Sequence, residues 1–287
     1  MKKQAKNRIY SFLIGLMITA GVLLLLYPLY TNYMYAKYAR EAQEQYQASN
    51  EQTDEASKQA QLERAREYNA SLTTTVLSDP FGGSSDSDDS AIYYDTLNIS
   101  TVDNIEGVMG FIEIPKIDVN LPVFHGVSDQ VLYNGAGHMI GSSLPIGGNG
   151  THAVLTGHTG IPDRKLFTDL TKLETGDEFF ITVLGDKMAY QVDSIQVIEP
   201  DDISWFSIDP DKDQVTLITC TPYGINDHRL LVTGHRVPYT EESENVSKAI
   251  DWYQAAVFVI LVLLVLYGIW RWVKKRKQRM SSEKKNR

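Results

Sequence analysis

The stretch Gln214-Val-Thr-Leu-Ile-Thr-Cys220-Thr-Pro-Tyr-Gly-Ile-Asn-Asp-His-Arg229-Leu-Leu-Val-Thr-Gly-His-Arg236 decides how the rest of the chain is read. Two apolar, β-branched runs, Val215–Thr219 and Leu230–Thr233, flank a connection holding the turn residues Pro222, Gly224, Asn226 and Asp227. The pattern predicts an antiparallel hairpin. Paired strands lie about 4.8 Å apart, so the hairpin sets Cys220, at the end of one strand, beside Arg229, at the start of the next. A thiol next to a fixed cation is a candidate nucleophile, because positive charge favours thiolate over thiol. A lone cysteine closing an apolar strand is more often a small buried hydrophobe, so the hairpin alone does not establish a nucleophile.

Working outward, Cys220 is the only cysteine in 287 residues, so no internal disulfide forms and the thiol is free. At 43% apolar residues the chain has material for one or two domains. Its charge is segregated. Residues 1–8 and 271–287 together carry a formal +12 within a total of −9, which leaves −21 for the middle. So acidic a centre argues against nucleic acid, whose phosphates require a basic footprint.

Residues 9–30 carry no charge over 22 positions, enough for a helix to cross about 30 Å of hydrocarbon. Leu24-Leu-Leu-Tyr-Pro-Leu-Tyr offers no small-residue cleavage site, which favours an uncleaved anchor over a signal peptide. A second uncharged run, Ala255–Trp270, reaches 252–272 if Trp252 and Trp272 mark the interfaces. Lys2, Lys3, Lys6 and Arg8 precede the first run, and Lys274, Lys275, Arg276, Lys277 and Arg279 follow the second. The positive-inside rule then places both termini in the cytoplasm and the acidic middle outside, as a two-pass membrane protein.

Between the spans, residues 31–77 turn to Ala, Glu, Gln, Lys and Arg, with Tyr35, Tyr38, Ala42 and Tyr46 spaced for one helical face and a break near Ala48–Thr53. Residues 78–106 hold Asp79-Pro80-Phe81 and then a Gly/Ser/Asp tract read as a flexible acidic linker. Over 107–240, strand-like runs recur at Val108–Ile114, Val119–Phe124, Thr151–Thr156, Glu178–Leu184, Ala189–Val197 and the hairpin, with short helices at Asp129–Tyr133 and Leu166–Leu170. Many short strands with few helices predict a mostly β fold closed, or nearly closed, into a barrel. A linker at 241–251, the second span at 252–272 and a basic tail at 273–287 complete the layout.

A cysteine nucleophile needs a proton partner. Of six histidines, His158 in Leu155-Thr-Gly-His158-Thr-Gly stands where a strand ends between two glycines, whereas His228 beside Arg229 faces the other side of its strand. His152 and His158 could share a strand face, yet no motif has familiar metal-ligand spacing, and no Gly-rich phosphate loop occurs; neither metal nor cofactor is expected.

Taken together, Leu155-Thr-Gly-His158, Thr216-Leu-Ile-Thr-Cys220 and Arg229, nine residues beyond the cysteine, resemble the sortase family of cysteine transpeptidases. The two spans and Asp79-Pro80-Phe81 ahead of the barrel resemble its class C, pilin-polymerising branch, as do Gly135-Ala-Gly-His-Met and Ser143-Leu-Pro-Ile-Gly-Gly. The resemblance implies an eight-stranded sortase-type β-barrel. It implies Cys220 as the nucleophile on the Thr–Gly bond of a Leu-Pro-x-Thr-Gly-like sorting signal, His158 as general acid and base, and Arg229 as stabiliser of substrate and oxyanion. It also implies a lid in which Asp79 pairs with Arg229 and Phe81 covers Cys220. The partners would be secreted pilins or surface proteins bearing sorting signals, and a pilin lysine as acceptor. Three other readings stay open on the residues: a housekeeping sortase serving the cell wall, a hydrolytic cysteine peptidase, and a non-catalytic anchored binding module in which Cys220 is merely packed.

Overall fold

A computed structural model describes residues 2–72, 79–81, 91–98, 101–102, 105–240, 256–264, 267–268 and 270–271. The chain divides into two compact units, one of Met1–Tyr33 with Ile250–Arg287 and one of Met34–Ala249.

In the first unit the apolar run at 9–30 is helical throughout, within helix α1 (Lys2–Gln52). Its sequence over Gly15–Gln52 contains a stretch long and apolar enough to cross a membrane. Of the second predicted span, 256–264, 267–268 and 270–271 are helical. The remainder of 252–272, the 241–251 linker, the 273–287 tail and residues 82–90 of the acidic tract lie outside the described residues.

In the second unit, the end of α1 buries Tyr35, Ala42 and Tyr46 of the anticipated face, with Ala39 beside them and Tyr38 half-buried. Tyr46 fixes this face to the barrel: its hydroxyl donates to Met109 O (3.1 Å) and accepts from Leu184 N (2.9 Å). The predicted break falls at Thr53–Asp54, where the Asp54 carboxylate accepts from Ser57 N and caps helix α2 (Glu55–Ser71). A short helix α3 (Ala91–Asp95) follows, then a two-stranded ribbon of β1 (Thr101–Val102) and β2 (Ile105–Glu106).

The barrel comprises β3 (Val108–Ile114), β4 (Val119–His125), β5 (Ala136–His138), β6 (Thr151–Thr156), β7 (Glu178–Val183), β8 (Asp186–Ile198), β9 (Asp213–Thr221) and β10 (His228–Val237), closed in the order β10-β8-β7-β3-β4-β5-β6-β9. Helix α4 (Asp129–Asn134) joins β4 to β5 and allows their parallel pairing. β6 lies parallel to β9, and the remaining pairs are antiparallel. Closure removes exposed sheet edges and surrounds a core that includes Met109, Ile112, Leu155, Phe179, Leu217 and Val232.

The eight-stranded barrel is as anticipated. The mostly β character belongs to this barrel and not to the chain, which also carries the 51 residues of α1 and the 17 of α2. The second short helix is a 3-10 turn at Thr168–Lys172, two residues beyond its expected start. The region read as flexible linker is ordered over Ala91–Asp95, because Tyr93 there is fully buried against His125 and His138.

Candidate active site

Strand register assembles the site. Arg229 on β10 pairs directly with Cys220 on β9, the juxtaposition the hairpin predicted. β6 is in parallel register with β9, Thr156 opposite Ile218, so two further residues bring His158 level with Cys220. Gly157 makes that continuation possible. Its N–H donates to Ile218 O (3.0 Å), its carbonyl accepts from Thr219 Oγ1 (2.7 Å), and a Cβ there would meet the Phe167 ring at 2.7 Å. Phe167 N in turn donates to the His158 carbonyl (3.1 Å).

The Asp79-Pro80-Phe81 segment sits on this arrangement. Asp79 takes the Arg229 fork in both oxygens, Nε to Oδ1 at 2.8 Å and Nη2 to Oδ2 at 2.6 Å. The remaining nitrogen, Nη1, donates to Asn226 O (3.1 Å) and His228 O (3.0 Å), so the loop holds the guanidinium plane. The Phe81 ring lies 5.5 Å from the His158 ring and 5.1 Å from the guanidinium carbon of Arg229. The Arg229 and Asp79 side chains are only 9% and 17% exposed, so the pair is largely shielded from solvent. A bidentate, largely dry pair is worth more than the ~0–1 kcal/mol of a surface ion pair.

Burial and the neighbouring charges set the protonation of the site. Burial pushes the Cys220 thiol up; the Arg229 charge pulls it down and the Asp79 charge pushes it up again. The Arg229 charge favours thiolate, as the hairpin suggested, and burial outweighs it. Burial likewise holds His158 below the usual imidazole range, opposed by the Asp129 carboxylate. Both changes favour a neutral thiol and a neutral imidazole.

An open cleft of ≈ 280 Å³ adjoins the lid, lined by Asp79, Pro80 and Arg229 together with Met139, Ile203, Trp205 and other apolar side chains. Sequence reasoning missed Trp205. Its signal was an aromatic pair, Trp205-Phe206, within the turn-rich connection between β8 and β9.

The other histidines serve structure. His152 meets Ser207 O and Thr216 Oγ1, His138 meets Tyr93 and Ser143 O, and His125 lies between the carbonyls of Gly107 and Thr96. His228 is turned outward as anticipated, against Asp227 (2.7 Å) and Glu199 (3.3 Å).

The family model of the sortase domain matches residues 112–237, which contain His158, Cys220 and Arg229. Among solved structures, sortase C-1 from Streptococcus pneumoniae is 44% identical, with a TM-score of 0.62, over 70% of this chain and 100% of its own. A pilus-related sortase C of Group B Streptococcus is 42% identical, with a TM-score of 0.62, over 68% of this chain and 97% of its own. Sortase A of Listeria monocytogenes is 31% identical over 147 residues, 51% of this chain and 62% of its own length. The chain spans between 47% and 63% of the curated relatives it matches. With a matching domain, a shared barrel and class C enzymes covered almost end to end, the chain belongs to the sortase family of cysteine transpeptidases.

Proposed function

We propose that this protein is a membrane-anchored transpeptidase that cleaves a Leu-Pro-x-Thr-Gly-like sorting signal between Thr and Gly and transfers the acyl group to a pilin lysine, polymerising pili. The observation that carries the pilus reading is the lid, Asp79 in the Arg229 fork and Phe81 over His158. The likeness to a pilus-related sortase C supports it.

In this mechanism the lid leaves first. Cys220 passes its thiol proton to His158 and Sγ attacks the threonine carbonyl carbon, so that the carbonyl oxygen becomes an oxyanion facing the guanidinium edge that Asp79 vacates. Collapse breaks the C–N bond. His158 gives its proton to the departing glycine amine, leaving a thioester on Cys220. The incoming lysine amine loses a proton to His158, attacks the thioester and releases the thiolate. The apolar cleft beside Arg229 is the proposed seat of the sorting signal. The proposed topology is two-pass, spans at 9–30 and 252–272, with the barrel extracellular and both termini cytoplasmic. The chemistry calls on no cofactor and no metal.

Competition between acceptors tests the reading. A pilin-derived lysine peptide should be joined to the acyl group in preference to a peptidoglycan cross-bridge amine; the reverse preference would indicate a housekeeping role, and hydrolysis indifferent to both amines a peptidase.

The lid makes a separate prediction. Opening forfeits charged hydrogen bonds worth about 1.5–3 kcal/mol and part of an aromatic's burial. Asp79→Ala with Phe81→Ala should therefore speed iodoacetamide modification of Cys220 on the order of 10- to 100-fold. It removes a source of burial and the Asp79 charge, both of which raise the thiol pKa, so the pH midpoint of modification should also move down. An unchanged rate and midpoint would remove the lid from the mechanism.

A further inference from the structure

The loop from Gly157 to Phe167 carries His158 at its start. At its base Phe167 N donates to His158 O, and Gly160 N donates to Thr168 Oγ1. Its far side is staked to two other elements by one residue. Arg164 Nη1 donates to Tyr133 O (2.9 Å) and Asn134 Oδ1 (2.9 Å), both at the C-terminal end of α4. Its guanidinium lies 3.9 Å from the centroid of the Tyr133 ring and 5.1 Å from that of Tyr35 on α1. Neighbouring bonds close the junction: Tyr133 OH donates to Asp163 Oδ2 (2.8 Å), and Tyr35 OH donates to Asn134 O (2.8 Å).

Three elements thus meet at one guanidinium, and a planar cation suits two ring faces and two oxygen acceptors better than an ammonium does. The arrangement bears on the histidine because α4 begins with Asp129, the carboxylate that acts on the His158 ring. Staking the loop to the far end of the same helix fixes the ring relative to that carboxylate, and Tyr35 adds the helix that leads from the apolar N-terminal segment.

We propose that Arg164 is a positioning residue for His158, holding the histidine loop against α4 and α1 so that the imidazole is set for proton transfer. This inference rests on the transpeptidase reading for its kinetic consequence and on geometry alone for its effect on the ring. Cys220 and the apolar cleft lie on other elements, so binding of the sorting signal does not depend on Arg164.

The test uses the full chain in lipid nanodiscs, comparing wild type, Arg164→Ala and Arg164→Lys. With a Leu-Pro-x-Thr-Gly peptide, Arg164→Ala should lower kcat on the order of tenfold, the scale expected when a catalytic group is displaced by a fraction of an ångström. KM should stay within about twofold and lysine should restore part of the loss. Independently of turnover, NMR titration of labelled histidine, with His158 assigned by its absence in His158→Gln, should show a displaced His158 midpoint in Arg164→Ala, upward where the ring gains solvent and downward where it leaves the Asp129 carboxylate. An unmoved midpoint would overturn the proposal, as would kcat, KM and melting temperature all worsening together. If wild type forms no acyl-enzyme, the transpeptidase reading falls while the titration still decides the role of Arg164.

Discussion

Arg229→Ala is expected to lower acyl transfer by about 10²–10³ in kcat when measured in the Asp79→Ala/Phe81→Ala background. The magnitude is that of removing one oxyanion donor from a prepared site. The background matters because Arg229 has two roles in the proposed mechanism. In the closed form its Nε and Nη2 edge holds Asp79, while Nη1 is pinned by Asn226 O and His228 O. The pinning keeps the fork in place after the lid leaves, so the same two N–H groups meet the substrate oxygen without rearrangement. In the native background, loss of Arg229 both releases the lid and weakens the transition state, and the two effects oppose one another. Lysine at this position should recover little, since a point charge does not reproduce the fork. Equal rates for the lid-open enzyme with and without Arg229 would confine this residue to holding the lid.

His158→Ala in the same background is expected to cost about 10²–10⁴ in kcat, the range for a general acid–base catalyst. His228→Ala should change kcat by less than about twofold, because that ring is turned outward against Asp227 and Glu199. The pH dependence follows from the shifts in the closed site. Burial holds His158 down and Cys220 up, so lid opening moves His158 up and Cys220 down. Both movements raise the fraction of thiolate paired with imidazolium at neutral pH. The lid-open enzyme should accordingly turn over faster near pH 7 than the wild type, with the largest ratio between the two midpoints. A His158→Ala enzyme retaining wild-type rates would place the proton donor elsewhere.

Much of this site is local in sequence, which is why it can be read there. Cys220 and Arg229 sit on adjacent strands of one hairpin, and alternation with turn residues specifies such a pair. His158 could be ranked above the other histidines because Gly157 and Gly160 flank it. The structure gives the reason for Gly157, whose missing side chain makes room for the Phe167 ring. What escaped the sequence depends on contacts between distant segments. Strand β5 is Ala-Gly-His, three residues without β-branching, and is a strand because β4 and β6 flank it. Tyr93 sits just beyond an acidic tract of linker composition, and its burial between His125 and His138 is a tertiary fact. The net direction of the thiol shift is not legible in the sequence for the same reason. Arg229 is visible as a neighbour in sequence, whereas the burial that outweighs it is supplied by the folded site.

The most direct measurement is intact-mass spectrometry of the full chain, wild type and Asp79→Ala/Phe81→Ala, after incubation with a Leu-Pro-x-Thr-Gly peptide. A mass increase equal to the peptide minus its glycine portion is expected, enriched in the lid variant, lost on hydroxylamine treatment and absent from Cys220→Ala. No adduct in either form, together with a Cys220 that resists iodoacetamide, would contradict the thioester mechanism and leave an anchored barrel whose cysteine is only packed.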